Sequence, residues 1–164
     1  MLKNLVRGAS IALLPIAFSA EVAGQNASVD LIAATGGKCE SLVVAGAPLD
    51  CSQVKGIIYT HMANGRVLLT LGWSDGGAFS FVGERDSQAN PQEYRLYLSR
   101  INVASNASSG VDVNPSTISG ICTVRMSKDG YVWYRIDCDA TGANNSQYRL
   151  RFQSNGERID VKRP

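Results

Sequence analysis

The sequence predicts an all-β fold, an antiparallel meander of about eight strands that closes as a small barrel or as a two-sheet sandwich. Apolar and polar residues alternate through most of the chain, as at Tyr148, Leu150 and Phe152. This period of two is typical of a strand with one buried face. Asn–Gly and Asp–Gly pairs separate the alternating runs, and no stretch beyond the N-terminal segment keeps helical spacing for three turns. We therefore expect almost no helix and favour the barrel.

The alternating runs and the turn pairs between them set the order of the elements. Asn–Gly and Asp–Gly tolerate the positive φ that tight hairpins require, and they occur at Asn64–Gly65, Asp75–Gly76, Asp129–Gly130 and Asn155–Gly156. The predicted strands are residues 40–45, 56–62, 66–73, 78–82, 93–101, 120–127, 131–138 and 147–153. Residues 102–119 have little periodicity and are expected to be a long loop, or to hide a strand around residues 111–113.

The N-terminal residues have the order of a secretory signal peptide. Lys3 and Arg7 precede a ten-residue apolar stretch, residues 9–18, and small residues follow it. That stretch is too short to span a bilayer and contains Pro15. We expect a signal peptide at residues 1–24, with cleavage after Ser19 or Gly24. A flexible lead-in at residues 25–36 and a single all-β domain at residues 37–164 would follow it, in the periplasm or secreted.

The four cysteines are expected to form disulfides, because an even number outside the cytoplasm usually does. Four cysteines allow three pairings, which spacing alone does not separate. Local structure favours one of the three, Cys39 with Cys51 and Cys122 with Cys138. Cys122 and Cys138 flank an apparent hairpin, and Cys39 and Cys51 flank a short excursion of the chain. A zinc site is the rival interpretation, but the spacings are not those of a zinc knuckle and His61 is the only histidine.

Composition excludes several classes of function. Lys and Arg number 16 and Asp and Glu number 14, a net charge of +2, so we expect no nucleic-acid partner. Several predicted strands are shorter than those of a membrane barrel, and polar residues interrupt their second face. We therefore expect no membrane association after signal cleavage. No residue pattern indicates a cofactor.

The sequence contains no recognisable catalytic set. His61 lies on a predicted strand with Ile57 and Tyr59 on the same face, which favours a structural role. No G-x-S-x-G motif supplies a nucleophile. Asp137 and Asp139 lie two residues apart on one strand face and would suit glycoside hydrolysis as paired carboxylates, although a solvated strand end is the commoner explanation.

Three aromatic residues are the candidate ligand contacts. Trp73, Tyr131 and Trp133 would line a ligand mouth, because aromatic rings stack on sugars and apolar groups. Strict alternation places Tyr131 and Trp133 on the face opposite Val132 and Ile136. We therefore expect one of these two faces to be exposed.

The order of the motifs resembles a known group of proteins. After the signal peptide come, in sequence, Cys39, Cys51, Asn64-Gly65-Arg66, Asp75-Gly76, Phe79-Ser80-Phe81-Val82-Gly83, Pro91-Gln92, Cys122 and Cys138. This order resembles small exported proteins of alphaproteobacteria that are generally labelled hypothetical, over about residues 37–156. The resemblance implies a periplasmic or secreted all-β domain of unknown function, and it carries no catalytic residue with it.

Three functions follow from these patterns. The first is a non-enzymatic binding or interaction module for a small molecule, a glycan or a protein. The second is a protease-inhibitor-like module that presents residues 25–35 to an enzyme. The third is a hydrolase that uses acids such as Asp137 and Asp139.

Overall fold

A computed structural model describes residues 28–73, 77–104 and 116–164, and most of them lie in strands. The all-β prediction is confirmed. No helix in these three ranges has the length and apolarity that a membrane crossing requires. The strands are β1 (Val29–Val44), β2 (Ala47–Leu49), β3 (Gly56–Met62), β4 (Val67–Gly72), β5 (Ala78–Asn90), β6 (Glu93–Ala104), β7 (Ser116–Met126), β8 (Trp133–Gly142), β9 (Gln147–Ser154) and β10 (Asp160–Lys162), with a 3-10 turn at Ala143–Asn145.

The sheet closes into a barrel because β1 pairs with two different neighbours along its length. Its first half pairs with β3, up to Gly36 opposite Gly56, and its second half pairs with β9, from Gly37 opposite Ser154. A Cβ on Gly37 would lie 2.3 Å from the carbonyl oxygen of Gln153, so only glycine fits at this exchange of partners. β1 and β3 to β9 form the closed ring, while β2 and β10 pair with β1 outside it.

The inward faces of the strands fill the middle of the barrel with apolar side chains. The largest fully buried side chains are Phe81, Phe152, Leu42, Ile57, Leu69, Leu71, Leu96, Ile101, Ile136, Leu150, Val54 and Val67. Each such burial is worth about 1.5–3 kcal/mol relative to exposure. Val54 comes from the loop between β2 and β3, so this loop contributes to the core that the strands enclose.

Both disulfides join the pairs that local structure favoured. Cys122 and Cys138 lie directly opposite each other on β7 and β8, and Cys39 on β1 bonds Cys51 in the loop before β3. All four sulfurs are bonded in this way, so none is a thiolate ligand for zinc. In the chain-entropy model, each of these loops contributes about 3 kcal/mol.

The expected flexible lead-in at residues 25–36 is wrong from Val29 onward. Val29–Gly36 is the first half of β1, with β3 on one side and β10 on the other at Ile32–Ala34. The segment lacks a clear alternation of apolar and polar residues, because its stability comes from pairing with β3 and β10, which are distant in sequence. Residues 25–27, like the predicted signal peptide at residues 1–24, lie outside the described residues.

Several strands are longer than predicted. β5 runs to Asn90 instead of residue 82, because irregular pairing on either side of Gly83 breaks the alternation that marks a strand. The expected loop at residues 102–119 is shorter than predicted, because residues 102–104 belong to β6 and residues 116–119 belong to β7. Residues 105–115, which include the hidden-strand alternative, and the turn at Asp75–Gly76 lie outside the described residues.

A β-bulge reverses the predicted orientation of Trp133. Met126 pairs with Trp133 and Arg125 pairs with Arg135, which leaves Tyr134 without an opposite residue. Trp133 therefore points inward, 6% exposed, on the same side as Ile136, while Tyr134 is 46% exposed. Strict alternation fails here because one extra residue shifts the side-chain period.

Two strand glycines provide a test of the barrel packing. A Cβ on Gly120 would lie 2.1 Å from the carbonyl oxygen of Asp139 and 2.5 Å from the Cβ of Ala140, whereas a Cβ on Gly72 meets nothing within 4 Å. We expect Gly120→Ala to lower the free energy of unfolding by about 1–3 kcal/mol and Gly72→Ala to leave it nearly unchanged. Urea unfolding of both variants measures this, and equal effects would contradict the β7–β8 packing described here.

Candidate functional site

One end of the barrel holds an open pocket of about 170 Å³. The turns between β3 and β4, β5 and β6, and β7 and β8 all lie at this end, which we call the mouth. Leu31, Met126 and Val124 line the pocket from β1 and β7, and Ile159 and Val161 line it from the C-terminal segment. The mouth pocket is therefore largely apolar, and it lies at one end of the core of buried apolar side chains.

Three aromatic side chains contact one another in the mouth pocket. Tyr59 on β3, Tyr94 on β6 and Trp133 on β8 all line it. The ring of Tyr59 lies 5.9 Å from that of Tyr94 and 5.9 Å from that of Trp133, at interplanar angles of 75° and 83°. Aromatic rings favour this edge-to-face arrangement. Trp133 can take part because the bulge turns it inward.

A hydrogen-bonded chain links the mouth pocket to a carboxylate. Asp86 pairs with Leu96 across β5 and β6 and shares its inward side, where its Oδ2 accepts a hydrogen bond of 2.5 Å from Tyr94 Oη. Tyr94 Oη lies 2.9 Å from Tyr59 Oη. Since the single O–H of Tyr94 is donated to Asp86, the Tyr59 hydroxyl must donate to Tyr94.

Burial keeps both phenols protonated well above neutral pH. It raises the pKa of Tyr94 strongly, and the nearby Tyr59 and the hydrogen bond to Asp86 raise it further. Burial also raises the pKa of Tyr59, partly offset by its hydrogen bond to Tyr94. Both hydroxyls therefore remain hydrogen-bond donors within the hydrogen-bonded chain Asp86–Tyr94–Tyr59.

The structure does not bring the three predicted ligand contacts together. Trp133 lies in the mouth pocket. Tyr131 is exposed on the outside of the barrel, with the guanidinium carbon of Arg158 4.5 Å from its ring centroid. Trp73 lines a separate, shallow groove of about 640 Å³ on the outer surface, which crosses β1 at Gly36.

Sequence reasoning missed Tyr59, Tyr94 and Asp86 as site residues. The alternation did place Tyr59 and Tyr94 on buried strand faces, but nothing in it shows that β3 and β6, which are separated by two strands in the sheet, bring these side chains together inside one end of a barrel. Asp86 was missed because it lies in the part of β5 that the sequence did not predict as a strand.

The carboxylates considered for hydrolysis lie on the outer face of β8 within a network of arginines. Asp137 accepts hydrogen bonds of 2.9 Å and 3.0 Å from Arg135 Nε, and Asp139 accepts bonds of 2.8 Å from Arg151 and 3.1 Å from Arg149. Partial burial alone would raise the pKa of Asp139, but these hydrogen bonds outweigh it and hold the pKa below its usual value. Such a group does not suit the role of general acid.

His61, the other residue weighed for catalysis, lies near a single acid. Its Nδ1 is 3.7 Å from Oδ2 of Asp30. Within the described ranges, no three His, Cys, Asp or Glu side chains cluster closely enough to hold a metal ion.

Neither a protein-family model, nor a curated protein sequence, nor a solved structure matches the chain.

The raised pKa of Tyr94 predicts a loss of stability at high pH. Below the pKa of an unfolded tyrosine, near 10, Tyr94 contributes its full stabilisation. Above that pH the unfolded state releases the proton and the folded state retains it, so the free energy of unfolding falls. We expect Tyr94→Phe to reduce this fall by about 1 kcal/mol between pH 8 and pH 11. Urea unfolding at the two pH values measures it, and parallel losses in the variant and the parent would contradict the burial of this phenol.

Proposed function

We propose that this chain is an exported, disulfide-bonded β-barrel module that binds a small molecule with an apolar body in the mouth pocket and performs no catalysis. One observation carries the proposal, the aromatic-lined pocket open at one end of a filled barrel. Core packing alone would place Tyr59 and Trp133 against other side chains, whereas here both also line open space. Concave, mostly apolar sites with a few polar groups are typical of ligand-binding proteins.

The volume of the mouth pocket limits the size of the ligand. Apolar cavities of about 150 Å³ hold benzene, and this pocket has about 170 Å³. A single ring or a short branched chain therefore fits. A glycan fits less well, because a sugar ring carries several hydroxyls, whereas the polar side-chain groups of the lining residues are the phenol oxygens of Tyr59 and Tyr94 and the indole N–H of Trp133.

Export and family membership belong to the same proposal. Two disulfides in a small domain support an oxidising compartment, the periplasm or the exterior of the cell. Two features of the sequence also support export: residues 1–24 have the charged, apolar and small residues of a signal peptide in that order, and the chain resembles small exported alphaproteobacterial proteins. The near balance of charge remains an argument against a nucleic-acid partner.

The two alternative functions have no comparable support. A protease-inhibitor-like module would present residues 25–35 as an accessible segment, but Val29–Thr35 is hydrogen-bonded within the sheet. A hydrolase would use Asp137 and Asp139, which are both occupied by arginines. The mouth pocket therefore remains the site that the arrangement of the side chains favours.

A plugged variant tests whether the mouth pocket binds ligands. Val161 is half-buried and lines the pocket, so Val161→Trp should fill it; the matched control is Ile58→Trp, on the exposed outer face. With benzyl alcohol as the probe, we expect the indole N–H resonance of Trp133 to shift in the parent protein and in the control, and to stay fixed in the plugged variant. No shift in the parent, or an equal shift in all three proteins, would overturn the proposal.

A further inference from the structure

We propose that the mouth pocket selects organic ammonium ions, in which a positively charged N–H group is joined to an apolar ring or short chain. The inference rests on the proposed function and adds the chemical class of the ligand. It depends on the direction of the hydrogen bonds in the chain Asp86–Tyr94–Tyr59 and on the charge at its inner end.

The direction of the chain leaves the two phenols as acceptors only. Tyr94 donates its one O–H to Asp86 over 2.5 Å, and Tyr59 must then donate its one O–H to Tyr94 over 2.9 Å. The lone pairs that remain on both oxygens accept hydrogen bonds but neither hydroxyl has a proton left to donate. A ligand group that meets these oxygens must therefore supply the donor, as an ammonium does and a carboxylate cannot.

The charge at the inner end of the chain favours a cation over a neutral donor. None of the ion pairs formed within the described ranges includes Asp86. The guanidinium of the adjacent Arg85 instead lies 4.3 Å from the ring centroid of Tyr97. With no cation paired to it among the described residues, the carboxylate of Asp86 polarises the two hydroxyls and increases the negative charge on the phenol oxygens.

The surrounding aromatic groups act in the same direction. Aromatic ring faces carry partial negative charge and attract cations, and Tyr59, Tyr94 and Trp133 all line a pocket whose other side chains are apolar. Such a pocket accommodates an apolar body, and its phenol oxygens and rings stabilise one compact positive charge. The ligand that suits all of these features is an amine with a single ring or a short alkyl chain.

Three probes of nearly the same shape separate charge from size. Benzylammonium, benzyl alcohol and benzoate are titrated at neutral pH, and chemical shifts of Trp133 and of the backbone around Tyr59 report binding. We expect benzylammonium to bind about tenfold more tightly than benzyl alcohol, and benzoate to bind more weakly than either. Equal affinity of the alcohol and the ammonium, or preferred binding of benzoate, would overturn the inference and leave the proposed function standing. Failure of all three probes to bind would overturn both.

Variants locate the preference in the hydrogen-bonded chain. Asp86→Asn keeps an oxygen acceptor for Tyr94 and removes the charge, so the preference for benzylammonium over benzyl alcohol should fall to within about twofold. Asp160→Asn, a matched loss of one exposed carboxylate on β10, should leave the preference near tenfold. An equal loss in both variants would show a general charge effect and would contradict the inference.

A second variant keeps the test valid if Asp86→Asn fails to fold. Tyr59→Phe preserves the hydrogen bond from Tyr94 to Asp86 and removes one of the two acceptor oxygens that line the pocket. We expect it to weaken binding of benzylammonium about tenfold and binding of toluene, which has no donor, by less than about twofold. An unchanged affinity for benzylammonium would overturn the role assigned to the phenol oxygens.

Discussion

The exchange of partners in the middle of β1 is the constraint on which the rest of the structure depends. At Gly36 and Gly37 the strand leaves β3 and joins β9, and a Cβ on Gly37 would collide with the carbonyl oxygen of Gln153. The approach is close because one strand must serve both edges of the ring. Without this exchange the sheet would keep two open edges, and edges are the features that a β protein must cover or close. With it, all inward faces share one core.

Closure of the ring also creates the mouth pocket. Tyr59, Tyr94 and Trp133 lie on strands that are not neighbours in sequence, and only closure of the ring places them around one opening. The bulge at Tyr134 completes the group by turning Trp133 inward. The middle of the barrel is filled and its mouth is not, so stability and recognition depend on different parts of one interior. This separation allows polar groups such as Asp86 to point inward at the mouth without a burial cost in the core.

The outer face of the barrel has a different role. Arg135, Arg149 and Arg151 alternate with Asp137 and Asp139 across β8 and β9, as paired charges on a solvated sheet usually do. Exposed pairs of this kind contribute about 0–1 kcal/mol each, so they set strand register and solubility more than stability. Asp86 is one of several carboxylates outside the ion pairs of the described ranges, and it differs from these pairs in accepting its hydrogen bond from Tyr94, a phenol that lines the mouth pocket.

The strand content and most of the hairpins could be predicted from the sequence, and local patterns favoured the cysteine pairing that the structure shows, because each of these depends on residues close together along the chain. Alternation at Tyr148–Phe152, the turn at Asp129–Gly130 and the hairpin between Cys122 and Cys138 are of this kind. The first half of β1, the inward orientation of Trp133 and the hydrogen-bonded chain from Asp86 to Tyr59 could not be predicted from local patterns. These depend on pairing between distant strands and on one inserted residue, and neither leaves a periodic trace in the sequence.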